Sequence, residues 1–147
     1  MATFTLFDEF LKFLGDGTID LDTHVFKAVL TNSAPVKGTN TVLADITQIS
    51  AGNGYATGGA TLTAVTWVET GAGLGIWRFT AADVSWTAAG GSIATHQYMV
   101  IYDDTPTSPA DPLVGFVDAG SSSVIADGNT RTWDIGASGL FEMDATP

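Results

Sequence analysis

HQYMVIYD, His96 to Asp103, places Tyr98, Val100 and Tyr102 on one face of an extended chain and Met99 and Ile101 on the other. A run that is apolar on both faces and rich in aromatic and β-branched residues predicts a central strand. Outward from it the period of two returns, with turn residues about every eight to twelve positions, as an antiparallel sandwich or barrel requires. Strands are expected at His24 to Thr31, Ala60 to Glu69, Ile76 to Thr80, Asp83 to Thr87, Leu113 to Asp118, Ser122 to Ala126, Thr130 to Ile135 and Leu140 to Met143. In the first, Phe26, Ala28 and Leu30 alternate with Val25, Lys27 and Val29.

The connectors agree with an all-β chain. Asp127-Gly128 between SSSVIA and TRTWDI predicts a two-residue hairpin, because a type I′ turn needs two positive-φ residues. Asn53-Gly54 and Gly58-Gly59 bracket Tyr55 in a loop, and Pro106 to Pro112 cannot continue a strand. VLADITQI, after Thr41, can form a short helix capped by Thr41.

The period is 3.6 at the N-terminus alone. Phe7, Phe10, Leu11 and Leu14 fall on one helical side, with Thr5 as the cap, Asp8 and Glu9 in the first turn and Gly15 as the stop. Phe4, Leu6 and Phe13 widen this stripe beyond one packing surface, so the helix from Phe4 to Leu14 is expected to meet a second chain. The expected organisation is an N-terminal helical arm over residues 1–15 and one antiparallel β-sandwich domain over 16–147. No linker or internal repeat divides it further.

Composition narrows the function. The 147 residues include 16 acids and 5 bases, a net charge of −11, which argues against a phosphate-rich partner and so against nucleic acid. There is no cysteine, hence no disulfide framework and no thiolate metal site. The first fifteen residues carry Asp8, Glu9 and Lys12 within their apolar run, unlike a secretory signal or a membrane span. Cytoplasmic synthesis and no membrane partner are expected.

Chemical motifs are incomplete. GDGTIDLD, Gly15 to Asp22, imitates half a calcium loop. Aligned on Gly17, however, it puts Lys12 and Leu14 at the first two ligand positions and Thr23 where a bidentate Glu belongs. Gly71, Gly73 and Gly75 lack the G-x-G-x-x-G spacing and a following helix, so TGAGLG reads as a hairpin loop between Trp67 and Trp77. His24 and His96 have no ligand partner at short spacing, and no serine sits in a nucleophile elbow. Asp103-Asp104 before the proline-rich loop reads as an acidic turn. No catalytic residue, metal ligand or cofactor is therefore assigned. Trp67, Trp77, Trp86 and Trp133 read as core or cross-strand packing, with an exposed sugar platform as the alternative. Arg78 and Arg131, the two arginines, each lie between large apolar neighbours and either pair an acid within the fold or cross a subunit interface.

With these residues in view, the chain resembles a family of small phage virion proteins of the capsid decoration, or cement, type. The likeness rests on the N-terminal helix, LTNSAP at Leu30 to Pro35, ADITQISAGNGYATGG at Ala44 to Gly59, YMVIYDD at Tyr98 to Asp104, and DPLVGFVDAG at Asp111 to Gly120. The resemblance implies a jelly-roll-like sandwich, often trimeric, on the outer capsid surface and bound to the major capsid protein. The negative charge suits an outward-facing position, since packaged DNA repels it. The capsid or subunit contacts expected are Phe4, Phe7, Phe10, Phe13, Arg78 and Arg131. Two other classes are a tail- or fibre-associated adhesion module that binds host glycans, with calcium held by Asp103, Asp104 and Asp111, and a small hydrolase using His96.

Overall fold

The structure is a computed structural model and describes residues 3–145; Met1 and Ala2 of the expected arm lie outside the described residues. In chain order the elements are β1 (Phe4–Leu6), α1 (Asp8–Gly15), β2 (Phe26–Thr31), a 3-10 turn (Leu43–Asp45), β3 (Ala60–Thr61), β4 (Thr66–Glu69) and β5 (Ile76–Thr80). They continue with β6 (Val84–Thr87), β7 (Ile93–Asp103), β8 (Leu113–Ile125), β9 (Thr130–Trp133) and β10 (Phe141–Asp144). All strand pairings are antiparallel, giving one sheet in the order β1-β8-β7-β2-β3, a second in the order β10-β5-β4, and the ribbon β6-β9. The expected all-β antiparallel class with a short N-terminal helix is what the chain forms.

β7 lies at the centre of the largest sheet, and its last five residues are buried. Its alternation separates two apolar clusters. Met99 and Ile101 join Phe26, Ala28 and Leu30 of β2 in the main core, which also takes Phe79 of β5, Trp86 of β6 and Trp133 of β9. Val100 and Tyr102 join Val29, Phe7 and Ile46 on the opposite face. One face thus holds the three sheets together, and the other is covered by Phe7 and by Leu43 and Ile46 of the segment between β2 and β3.

That covering segment contains the most distinctive part of the sequence. The Tyr55 hydroxyl accepts the Leu30 N–H at 3.2 Å and donates to Gln48 Oε1 at 3.0 Å, while the Gly58 N–H donates to the same oxygen at 2.9 Å. The Tyr102 hydroxyl donates to the Gly58 carbonyl at 2.9 Å. Gly59 has φ +72°, and a Cβ there would lie 1.8 Å from the Ala28 carbonyl oxygen. Glycine lets the loop pass this close to β2. The 3-10 turn is capped in reverse of expectation: the Asp45 carboxylate accepts the N–H groups of Thr41 and Val42.

Several local expectations are corrected. Phe4 to Leu6 is a strand, not helix, with Thr5 opposite Phe116; the helix begins at Asp8, and Thr5 does not cap it. Phe7, Phe10 and Phe13 are 1%, 0% and 5% exposed, so residues 3–15 belong to the sheet and the core rather than to a separate arm. Leu113 to Asp118 and Ser122 to Ala126 merge into β8, whose irregular register accommodates Gly120 at φ +81°. The Asp127-Gly128 turn exists, with the Asn129 N–H on the Ala126 carbonyl at 2.9 Å, yet β8 and β9 do not pair across it. β9 pairs with β6 instead, because the turn carries the chain away from the large sheet. Among the described residues no helix is long and apolar enough to cross a membrane.

Candidate functional site

The three-stranded sheet carries an aromatic row that this chain covers only in part. Register places Phe141, Phe79 and Trp67 side by side on one face, with Met143, Trp77 and Glu69 in the next row. Phe79 is fully buried, while Phe141, Met143 and Trp67 are half-buried and Trp77 is 40% exposed. Phe141 is the hub: its ring centroid lies 5.4 Å from Phe10, 5.3 Å from Phe79, 6.2 Å from Phe4 and 6.2 Å from Trp67. Trp67 continues the row to Trp77 at 5.8 Å with the rings tilted by 32°. At the Phe4 end a groove of about 500 Å³ opens between β1, α1 and β10, walled by Phe4, Leu6, Leu11 and Phe141 and rimmed by the Asp8–Lys37 ion pair.

Part of the exposed apolar surface lies in the segments at the two ends of this row, with Val25, Val36 and Val124 exposed elsewhere. Leu11 is 59% exposed beside the groove, and Leu74 is 55% exposed in the loop joining β4 to β5. Val68, on the opposite face of the same hairpin, is 49% exposed. That second face is largely polar, with Thr66, Thr80 and the Arg78–Glu142 pair beside Val68. The hairpin's glycine-rich loop is closed by the chain itself: the Glu69 carboxylate accepts the N–H groups of Gly75 at 2.8 Å and Gly73 at 3.3 Å. The donors that would cradle a phosphate already hold an anion.

The six expected contact residues divide. Phe7, Phe10 and Phe13 are consumed by this chain's own core and present no ring to a partner. Phe4 is half-buried at the head of the aromatic row. Arg78 pairs with Glu142 across β5 and β10, Nε to Oε1 2.8 Å and Nη2 to Oε1 2.6 Å, and its Nη1 donates to the Ala137 carbonyl. Arg131 pairs with no acid among the described residues; its Nη1 donates to Ser123 Oγ at 2.7 Å and lies 3.2 Å from His96 Nε2, and its guanidinium stacks on Trp133 at 4.4 Å.

Both histidines are engaged. His96 is fully buried, with Nδ1 2.9 Å from the Ala94 carbonyl. Nδ1 thus carries the proton, and Nε2 accepts from Arg131. Burial, with the nearby Arg131 charge, holds this imidazole below its usual titration range, and it has no free nitrogen for proton transfer. His24 Nδ1 sits 2.6 Å from Oδ2 of the buried Asp103. Asp104 pairs with Lys27 at 2.9 Å, so Asp103, Asp104 and Asp111 are not assembled as a calcium site; among the described residues no group of three acidic or histidine side chains is placed to hold a metal.

Trp86 and Trp133 are core residues, whereas Trp67 and Trp77 belong to the half-open row. Sequence reasoning missed Leu74 and Phe141 as surface-forming residues, while Leu11 lay within the helix expected to meet a second chain. The signal was available: Trp67-Val68 and Ile76-Trp77 are apolar on both faces, the same mark that identified β7 as covered on both sides. Compared with family models, curated proteins and solved structures, the chain matches none.

Proposed function

We propose that this protein is a non-enzymatic phage virion component, a capsid decoration or cement protein that binds the major capsid protein on the outer surface of the head. The supporting observation is the aromatic row from Phe4 to Trp77 with its exposed ends at Leu11 and Leu74. Contiguous apolar surface on a folded chain marks an interaction site. Cementing needs such surface and no reacting group, since it works by adding contacts that internal pressure must break. In this proposal the three-stranded sheet and the β6-β9 ribbon together form the second layer of a jelly-roll-like sandwich. The subunits assemble as trimers, and the net charge of −11 keeps them outside the DNA-filled head.

The test is retention on purified expanded heads that lack the protein. Leu74→Ser with Trp77→Ser should release the protein at concentrations where the parent stays bound, while its urea midpoint stays close to that of the parent. Equal retention of the double variant refutes the assignment of this surface. A second reading draws support from the 5.8 Å Trp67–Trp77 pair, whose half-open rings suit stacking on sugar faces. In that case the protein is a tail- or fibre-associated adhesion module. Glycan-array binding lost on Trp77→Ala, without any head binding, would favour it.

A further inference from the structure

Four of the five cations in the chain hold a carboxylate: Lys12 with Glu9 and Asp16, Lys27 with Asp104, Lys37 with Asp8, and Arg78 with Glu142. Arg131 has none among the described residues, although acids outnumber bases 16 to 5. Arg78 grips Glu142 with its Nε–Nη2 edge. In Arg131 that edge takes no partner among the described residues; the hydrogen bonds to Ser123 and His96 use Nη1, and the ring of Trp133 supports the guanidinium plane. Burial alone lowers the Arg131 pKa, with no acid acting against it. A planar fork held at Nη1 and on one face, with its side-on edge open, is preorganised for a carboxylate.

The surroundings say how that carboxylate would arrive. Arg131 stands in a seam between β8 and β9, which are not bonded to each other. One cleft of about 230 Å³ lies on the Met99, Val117 and Trp133 side of it, with Asp134 also in its wall, and another of about 400 Å³ on the Ser123 and Asn129 side. β1 covers the outer edge of β8 from Gly115 to Val117 only, and β9 pairs with β6 on one edge only. Among the described residues β8 beyond Val117 and the far edge of β9 thus have no ladder partner on one side, and such edges accept an added strand through main-chain hydrogen bonds.

We propose that the β8–β9 seam binds an extended, acidic segment of another protein, with Arg131 taking a side-chain carboxylate and the open edges of β8 and β9 taking the flanking backbone. The site uses different residues from the aromatic row and stands whether or not the protein decorates a head.

The probe is a capped heptapeptide of alternating threonine and valine with a central glutamate, titrated into the full-length protein and followed by NMR. Its binding should shift the Arg131 Nε–H resonance together with the amides of Ser121 to Val124 and Thr130 to Thr132. Replacing the central glutamate by glutamine should weaken binding about tenfold or more, the worth of a charge-assisted hydrogen bond. Arg131→Gln should do the same; the peptide exchange keeps the test valid if that variant folds poorly. Equal binding of the two peptides, or no binding, overturns the proposal. So does sodium acetate producing the same shifts at the same concentration, which would make the site one for small carboxylates. Self-association of the parent that Arg131→Gln abolishes would assign the seam to a second copy and equally overturn it.

Discussion

Phe4 lies face to face with Phe141, ring centroids 6.2 Å apart and planes 10° from parallel. Phe4 is on β1, at the edge of the five-stranded sheet, and Phe141 is on β10, at the edge of the three-stranded one, so this pair joins two sheets that share no backbone bonds. The Phe4 ring fits because residue 115 has no side chain: a Cβ there would lie 2.5 Å from the ring and 2.6 Å from the Thr5 carbonyl oxygen. Gly115→Ala should displace both ring and strand and cost about 1–3 kcal/mol, as overpacking does. Urea unfolding measures it; an unchanged midpoint would show that β1 moves freely.

The N-terminal segment behaves as core. Phe10 is fully buried and packs edge-on against Phe141, so Phe10→Ala should destabilise the protein by about 3–5 kcal/mol. Deleting residues 1–15 removes β1 together with Phe7, Phe10 and Phe13 from both apolar clusters. The truncated chain should lose its dispersed amide spectrum and aggregate. A soluble, folded truncation would restore the separate-arm organisation that the sequence suggested.

Strand positions were legible because an edge or central strand writes its burial directly into a period of two; Ile76 to Thr80 has the expected ends. Pairing was less legible. The Asp127-Gly128 turn is a local property of two residues, whereas the choice of β6 over β8 as the partner of β9 depends on where Val84 and Trp86 can be buried, a matter of the whole core. At the N-terminus, Phe4-Thr5-Leu6 has strand alternation, but its apolar residues extend the helical stripe that follows, and the longer pattern masked the shorter. Within α1 the buried face is Phe10 and Phe13, leaving Leu11 exposed, because the core selects the larger rings. The aromatic row was hidden for a different reason: periodicity tells that a tryptophan faces a sheet neighbour, not whether a further layer covers it.

The Tyr55 hydroxyl serves Leu30, within β2, and Gln48, which bridges to Thr31 at the end of that strand. Tyr55→Phe strips the buried Leu30 N–H of its acceptor and should cost about 1–3 kcal/mol. Hydrogen exchange gives the more specific readout: the Leu30 and Gly58 amides should exchange faster in the variant, while those in the middle of β8 should keep their rates relative to global unfolding.

The four tryptophans sit in distinct settings, with Trp86 and Trp133 at 5% and 7% exposure and Trp77 at 40%. Iodide should therefore quench a part of the native fluorescence that Trp77→Phe removes, leaving the response of the buried rings unchanged. If quenching is the same in parent and variant, Trp77 is covered in solution, and the aromatic row is already occupied by another copy.

Burial of the Asp103 carboxyl pushes it above its ordinary value of 3.8, opposed by the hydrogen bond from His24 and that from the Thr105 N–H. The sign follows from linkage: a carboxyl with a raised folded-state pKa binds its proton more tightly in the native state. Its contribution to stability is therefore complete below 3.8 and declines as pH climbs through the raised value. His24→Ala removes the strongest opposing partner, so it should raise the carboxyl further and steepen the decline, costing about 1–3 kcal/mol near neutrality. Asp103→Asn should abolish that part of the slope, because the amide has no charge to bury. Urea midpoints of the parent and both variants, compared between about pH 4 and 7, separate these outcomes. Parallel curves for all three would mean that the Asp103 carboxyl contributes no proton linkage to folding.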